Sequence, residues 1–322
     1  MTLTLDQMCQ GGIYDHLGGG FSRYSTDEEW LAPHFEKMLY DNALLIELLS
    51  EAWQVTGNPL YATRVRETID WALREMRVGV TADGRFAFTA AFDADSEGVE
   101  GKFYVWDTDQ VIALLGDDAP LFMKTYNVTP HGNWEGHTIL NRSHNMALGN
   151  EDEEAALTGY RDILFKARLG RIPPGRDDKA LTDWNGMMIA ALAQAGTAFS
   201  RPDWITTAET VFAFVLAEIT APGDDGDGGD SSSGRLRHTW CAGAARHPAV
   251  IDDYANMARA ALLLHEVTGK KSYIEQTQAW VAVADRHYWD DADGGYFLTA
   301  DDTTDIIIRS KTIHDNAVPS GN

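Results

Sequence analysis

The chain has 322 residues, 44% of them hydrophobic, which is enough for one large domain or two ordinary ones. Its 26 Lys and Arg stand against 49 Asp and Glu, a formal charge of −23. That balance excludes a grip on nucleic acid phosphates or on a membrane surface as the main business of the chain, because both need clustered cations.

The opening MTLTLDQMCQGG has neither the basic nor the apolar region of a signal peptide, and no apolar run approaches the ~20 residues of a membrane span. The expectation is a cytoplasmic protein. Apolar residues then recur at helical spacing over Phe35–Val55, where Leu44, Leu45, Leu48 and Ala52 share a stripe, and over Leu60–Met76, Glu153–Arg168, Thr182–Phe199, Asp203–Ile219, Ile251–Val267 and Ser272–Tyr288. Gly-rich pieces between them carry short β-like runs at Phe86–Phe92, Lys102–Trp106, Arg235–Trp240, Tyr296–Thr299 and Ile306–Arg309. Gly223–Gly234 reads as an acidic Gly/Ser loop inside the domain. Cys9 and Cys241 form no C-x-x-C and no zinc-type spacing, so two buried free thiols are expected. Of the acids 32 are Asp, and only 8 of the bases are Lys. Such a surface fits a halophilic source, where concentrated salt screens self-repulsion.

An internal repeat organises the chain. Gly18–Leu45 can be laid over Gly294–Asn322, each giving Gly-Gly, an aromatic, a polar loop, then Lys, three residues and Asp-Asn; Lys179–Leu192 and Val250–Leu262 keep the end of that pattern. Asp41, Asp183, Asp253 and Asp315 are separated by 142, 70 and 62 residues, which fits a helix-pair unit of about 60–70 residues. Units of that kind close as an α/α toroid or stack as a solenoid, and the returning Gly-Gly-aromatic hairpin favours the toroid.

Four segments carry a resemblance: GGIYDHLGGGFSRYSTDEEWLAPHFEKMLYDNALL, DADSEGVEGKFYVW, PGRDDKALTDWNGMMIAALAQAG and the closing DNAVPSGN. From about Leu5 to Asn322 the chain resembles the spermatogenesis-associated protein 20 family, whose bacterial and archaeal members are called thioredoxin-domain-containing proteins. The resemblance implies a thioredoxin-like domain followed by an (α/α)6 toroid of the six-hairpin glycosidase type, similar to N-acylglucosamine 2-epimerases. No thioredoxin-like domain opens this chain, and it stops where the family continues into further helix. The expected fold is therefore all-α, a single (α/α)6 toroid over residues 1–322 with short β-hairpins at its rim, incomplete at both ends and able to self-associate through an open wall.

Asp41, Asp183 and Asp253 are the foremost candidates for catalysis. Each is expected in the opening turn of a helix, as is Asp315, and in the first three the residues at i+4 and i+7 are apolar, so the carboxylates follow the buried stripe toward one opening. A helix-start Asp also serves as an N-cap, which accounts for each taken singly. The companions Asn42, Asn185, Asn256 and Asn316 have no such explanation. His34 and His314 are candidate proton carriers, and His16, beside Asp15, is a further imidazole near a carboxylate. Arg23, Glu36, Lys37, Tyr40, Asn42, Trp184, Asn185, Tyr254 and Asp315 complete the candidate sugar-binding set, with donors and acceptors for hydroxyl groups and aromatic faces for rings. Polar helix starts and core aromatics are the competing explanation of the same residues.

Three motifs fail. DADSEG at Asp93–Gly98 lacks the twelfth-position Glu of a calcium loop, since Tyr104 stands there. GGGFSR opens no phosphate-binding helix, and the sequons at Asn127 and Asn141 are idle without secretion. No metal and no cofactor are expected. The function expected is a carbohydrate-binding or carbohydrate-processing α/α barrel acting on a small sugar-like metabolite, isomerase/epimerase-like or glycosidase-like. The alternative is a non-catalytic ligand- or protein-binding module that accompanies a thioredoxin-like domain.

Overall fold

The computed structural model describes residues 2–220, 234–304 and 306–322, so the acidic loop at Gly223–Gly234 lies outside the described residues except for Gly234. The helices are α1 (Thr2–Gln10), α2 (Leu39–Thr56), α3 (Pro59–Glu75), α4 (Thr108–Leu115), α5 (Ala119–Thr125), α6 (Glu151–Arg168), α7 (Thr182–Ala198), α8 (Pro202–Phe214), α9 (Ile251–Thr268) and α10 (Lys271–His287). Every segment with helical periodicity forms a helix, with ends shifted by a few residues. Helix α6 begins at Glu151 because Asn150 caps it: Asn150 Oδ1 accepts the Glu153 N–H at 3.0 Å and Glu153 Oε2 accepts the Asn150 N–H at 3.3 Å. Among the described residues no helix is long and apolar enough to cross a membrane.

The chain divides into two compact units, Met1–Met38, Leu49–Arg74 and Ala91–Asp177 in the first, and Leu39–Leu48, Glu75–Ala90 and Asp178–Asn322 in the second. In the first, Trp106, Val111, Phe122, Tyr126, Leu157 and Leu164 join α4, α5 and α6 in one apolar cluster. A buried ionic knot lies in the same unit. Arg168 forks onto both oxygens of Asp15 at 2.8 Å each, and Lys37 Nζ adds a third donor at 2.8 Å. Burial alone would raise the Asp15 carboxyl, yet the two cations hold it far below the ordinary carboxylate range. Cys9 is buried, and burial pushes its thiol up to about 12.

In the second unit α7 pairs with α8, α9 pairs with α10, and α7 packs along α9. Helix α7 is buried almost throughout, from Thr182 to Gly196, whereas α8 and α10 each bury one stripe. Apolar patterning on every face of α7 is what a helix enclosed by neighbours requires. The close approach is set at Gly186, where a Cβ would stand 2.8 Å from the Asn256 carbonyl carbon on α9. Glu47 on the opening half of α2 pairs with Arg259 on α9 through two bonds of 2.9 and 2.7 Å. A three-stranded sheet lies beside these helices: Arg237–Cys241 pairs with Ala180–Leu181 on one side and Ala244–Pro248 on the other, all antiparallel. The short strand Ala180–Leu181 leads straight into α7. Cys241 ends the central strand, half-buried and, like Cys9, a free thiol.

Three β-like runs form no strand. Lys102–Trp106 folds into a turn because Tyr104 and Val105 both donate to Gly101 O, leaving a bridge at Trp106. Tyr296 makes an isolated bridge with Trp289. Ile306–Arg309 has no facing strand among the described residues; Ile307 is 98% exposed, and Arg309 turns its guanidinium onto the Thr299 and His287 carbonyls. Asp315 lies in irregular chain instead of a helix start, its Oδ1 accepting the Ser320 N–H at 3.0 Å.

Candidate functional site

Two helix starts and one strand meet in the second unit. Asp183 and Asp253 occupy the opening turns of α7 and α9, and neither is the N-cap residue, a position held by Leu181 and Val250. Asp253 is fully buried. Its Oδ2 accepts the Val250 N–H at 2.8 Å, satisfying a free donor at the start of its own helix, and its Oδ1 accepts the Asp183 N–H at 3.0 Å. The third partner is His238 on the central strand, whose Nδ1 lies 3.1 and 2.9 Å from the two Asp253 oxygens. Two backbone donors and one imidazole thus fix a single carboxylate, and His238 Nε2 meets no partner among the described residues while the side chain stays 31% exposed.

The electrostatics raise all three groups. Burial, then the neighbouring Asp253 charge, pushes the Asp183 carboxyl up toward neutrality. Burial raises Asp253 as well. The hydrogen bond to Asp253 holds the His238 imidazole above its ordinary value, against the opposing effect of burial. The cluster thus joins one imidazole and two carboxyls, each raised above its ordinary value. Asp183 Oδ1 accepts the Trp184 N–H at 2.9 Å. The half-buried Trp184 ring packs edge-on against Tyr40 at 4.7 Å, which brings the start of α2 beside the start of α7. Asp41 is half-buried in the first turn of α2, followed by the fully buried Asn42.

Asp183, His238 and Asp253 each offer a ligand atom within 4.8 Å of the others, a donor set of two carboxylates and one imidazole. The direct His238–Asp253 bond already occupies Nδ1, so the arrangement as it stands is a proton-sharing cluster.

Other candidates lie outside this cluster. Asn185 clamps the strand Ala87–Phe88: Oδ1 accepts the Phe88 N–H at 2.8 Å, and Nδ2 donates to Phe88 O at 3.0 Å and Leu181 O at 2.8 Å. Tyr254 is buried, its hydroxyl accepting the Leu236 N–H. His314 and Asp315 are exposed. In the first unit, Lys37 belongs to the knot with Asp15. His16 is buried between Gly11 O and the Arg64 guanidinium, at 2.9 and 3.4 Å, and burial holds its imidazole well below the ordinary value. His34 sits between two carboxylates, Nδ1 at 2.8 Å from Glu100 and Nε2 at 3.2 Å from Glu36, with Tyr24 stacked at 5.3 Å and Arg23 on Glu36 at 3.1 Å. Sequence reasoning passed over His238. Its one signal was a His in the β-like run Arg235–Trp240, shortly before the third copy of the repeat.

No protein-family model matches the chain. Spermatogenesis-associated protein 20 of Rattus norvegicus is 33% identical over 363 aligned residues, covering 99% of this chain and 44% of the relative. Among solved structures, cellobiose 2-epimerase from Spirochaeta thermophila superposes with a TM-score of 0.52 at 14% identity, over 90% of this chain and 53% of that one. A second cellobiose 2-epimerase, from Bacillus thermoamylovorans, gives 0.50 at 8% identity over 87% and 52%. The fold is accordingly that of the (α/α)6 toroids. By sequence the chain matches the spermatogenesis-associated protein 20 family over nearly all of its own residues, and it spans a little under half the length of those curated relatives.

Proposed function

We propose that the second unit binds a carbohydrate and moves protons on it, as an isomerase or epimerase does. The observation that carries this reading is the His238–Asp253–Asp183 cluster. An imidazole and a carboxyl set side by side, both raised above their ordinary values, supply an acid and a base at one place. His238, held protonated and oriented by Asp253, is the donor through Nε2; Asp183 is the group able to accept near neutral pH. Trp184 offers an aromatic face beside them for a sugar ring. The fold shared with cellobiose 2-epimerases supports the substrate class.

A glycosidase built on the same carboxylates has less support. Hydrolysis needs two carboxyl groups flanking the bond, about 5–5.5 Å apart for retention and about 6.5–9.5 Å for inversion. Here ligand atoms of Asp183 and Asp253 lie within 4.8 Å of one another, and Asp253 is fully enclosed.

Solvent exchange tests the proposal. Incubation of the chain with a panel of aldoses and reducing disaccharides in deuterium oxide should place deuterium on the carbon next to the carbonyl, read by proton NMR. His238→Gln should slow that exchange by roughly 10²–10⁴-fold. Absence of exchange on every sugar, with the parent folded, overturns the reading.

A further inference from the structure

A cavity of about 630 Å³ opens within the first unit, sharing no residue with the proton-sharing cluster and lined by residues between Ser96 and Ile172. Its size falls inside the range of roughly 300–1,000 Å³ typical of small-molecule sites. Two hairpins with the same turn sequence rim it. Ser96-Glu97-Gly98-Val99 joins strands in which Ser96 faces Val99, and Trp134-Glu135-Gly136-His137 is closed by reciprocal backbone bonds between Trp134 and His137, at 3.0 and 2.8 Å. Both central residues of each turn have positive φ, 54° and 74° in the first, 50° and 84° in the second. That is the signature of the tight two-residue turn whose first position favours Asn, Asp or Gly, so a Glu there is strained in both. The second turn sets Trp134 and His137 directly opposite one another, on one face of the hairpin.

The walls combine apolar surface with paired polar groups. Val99 and Ile172 line the cavity although they are 53% and 58% exposed. Asp107 meets His137 at 2.6 Å, and Glu97 meets Lys102 at 2.8 Å. Arg171 lies 4.0 Å over the Trp106 ring and donates to the Phe103 and Val105 carbonyls at 2.9 and 2.7 Å. The lining cations are thus engaged with carboxylates or carbonyls, which leaves little to attract an anion. Such pairs instead present donor and acceptor edges side by side, and a sugar hydroxyl, being both donor and acceptor, matches such edges.

We propose that this cavity is a second binding site, for a neutral saccharide, with one ring face against Trp134 and the exposed aliphatic side chains and its hydroxyls on the Asp107–His137 and Glu97–Lys102 pairs. The inference extends the carbohydrate reading above and rests on it for the choice of probe.

Fluorine NMR of the whole chain labelled with fluorotryptophan tests it, with the Trp134 line assigned from Trp134→Phe. Titration with cellobiose should move the Trp134 line saturably, and cellobionate, its anionic counterpart, should leave it in place. His137→Ala removes an exposed side chain without touching the core and should weaken cellobiose binding roughly tenfold, the loss of about one hydrogen-bonding pair. An unmoved Trp134 line at saturating solubility of cellobiose, an equal response to cellobionate, or unaltered affinity in His137→Ala each overturns the proposal. The fluorine line reports Trp134 and the deuterium assay reports His238, so failure of one is distinguishable from failure of the other.

Discussion

The Asp183 backbone N–H donates to Asp253 Oδ1 at 3.0 Å across 70 positions of sequence. One carboxylate thereby ties the first turn of α7 to the first turn of α9 and aims His238 at the same time. Asp253→Asn keeps one acceptor oxygen but removes the charge that attracts His238. Stability should fall by about 1–3 kcal/mol, read by urea denaturation. A change within about 0.5 kcal/mol, the range of an ordinary surface substitution, contradicts the role described.

The same bond gives a pH signature. His238 is raised above the ordinary imidazole value of 6.5, so its stabilising contribution is complete below that pH and is lost as pH rises through the raised value. Asp183 is also raised, and its folded form holds a proton that the unfolded chain has released, so it too lowers stability as pH rises above the ordinary carboxylate value of 3.8. The melting temperature of the parent relative to His238→Gln should therefore decline between about pH 6 and about pH 10. A constant difference contradicts the assignment.

Asp15 behaves in the opposite sense. Its carboxyl is held low, so the stability it contributes is present above the ordinary carboxylate value and disappears as pH falls. Asp15→Asn removes the carboxylate that the buried Lys37 and Arg168 both bind, and should destabilise by about 3–5 kcal/mol in thermal or chemical unfolding.

Gly186→Ala probes the approach of α7 to α9. The new Cβ meets the Asn256 backbone at 2.8–3.0 Å, which real side chains do not tolerate. The helices must separate, at a cost of about 1–3 kcal/mol. Because Asp183 and Asp253 sit on those two helices, sugar exchange should fall along with stability.

Salt should act on the whole surface. With a formal charge of −23, repulsion among carboxylates weakens the fold at low ionic strength, and the Debye length shrinks from about 10 Å at 0.1 M to about 3 Å at 1 M. Melting temperature should climb across that range of sodium chloride; a flat or falling curve contradicts a salt-adapted surface.

Periodicity revealed the long helices because each buries a stripe, and the Asp-Asn repeat pointed to α2, α7 and α9. It did not carry to Asp315, where residues 311–322 form no helix. α1, α4 and α5 escaped notice because runs of seven to nine residues contain too few turns for a period to emerge. Asp183 and Asp253 were legible as helix-start carboxylates. Their joint engagement with His238 was not, since strand pairing determines which side of Arg237–Cys241 faces α9. The cavity beside Trp134 was equally hidden: a Glu-Gly pair announces a turn only weakly, and nothing local says that two such turns rim one hollow.

The fork between Asp15 and Arg168 spans 153 positions. During synthesis at about 5–20 residues per second, Asp15 and Lys37 emerge roughly 7–30 s before the arginine that completes their knot. Until then the carboxylate has one cation where the finished protein gives it two. The ionic knot of the first unit is therefore complete only once the last turn of α6 has been made.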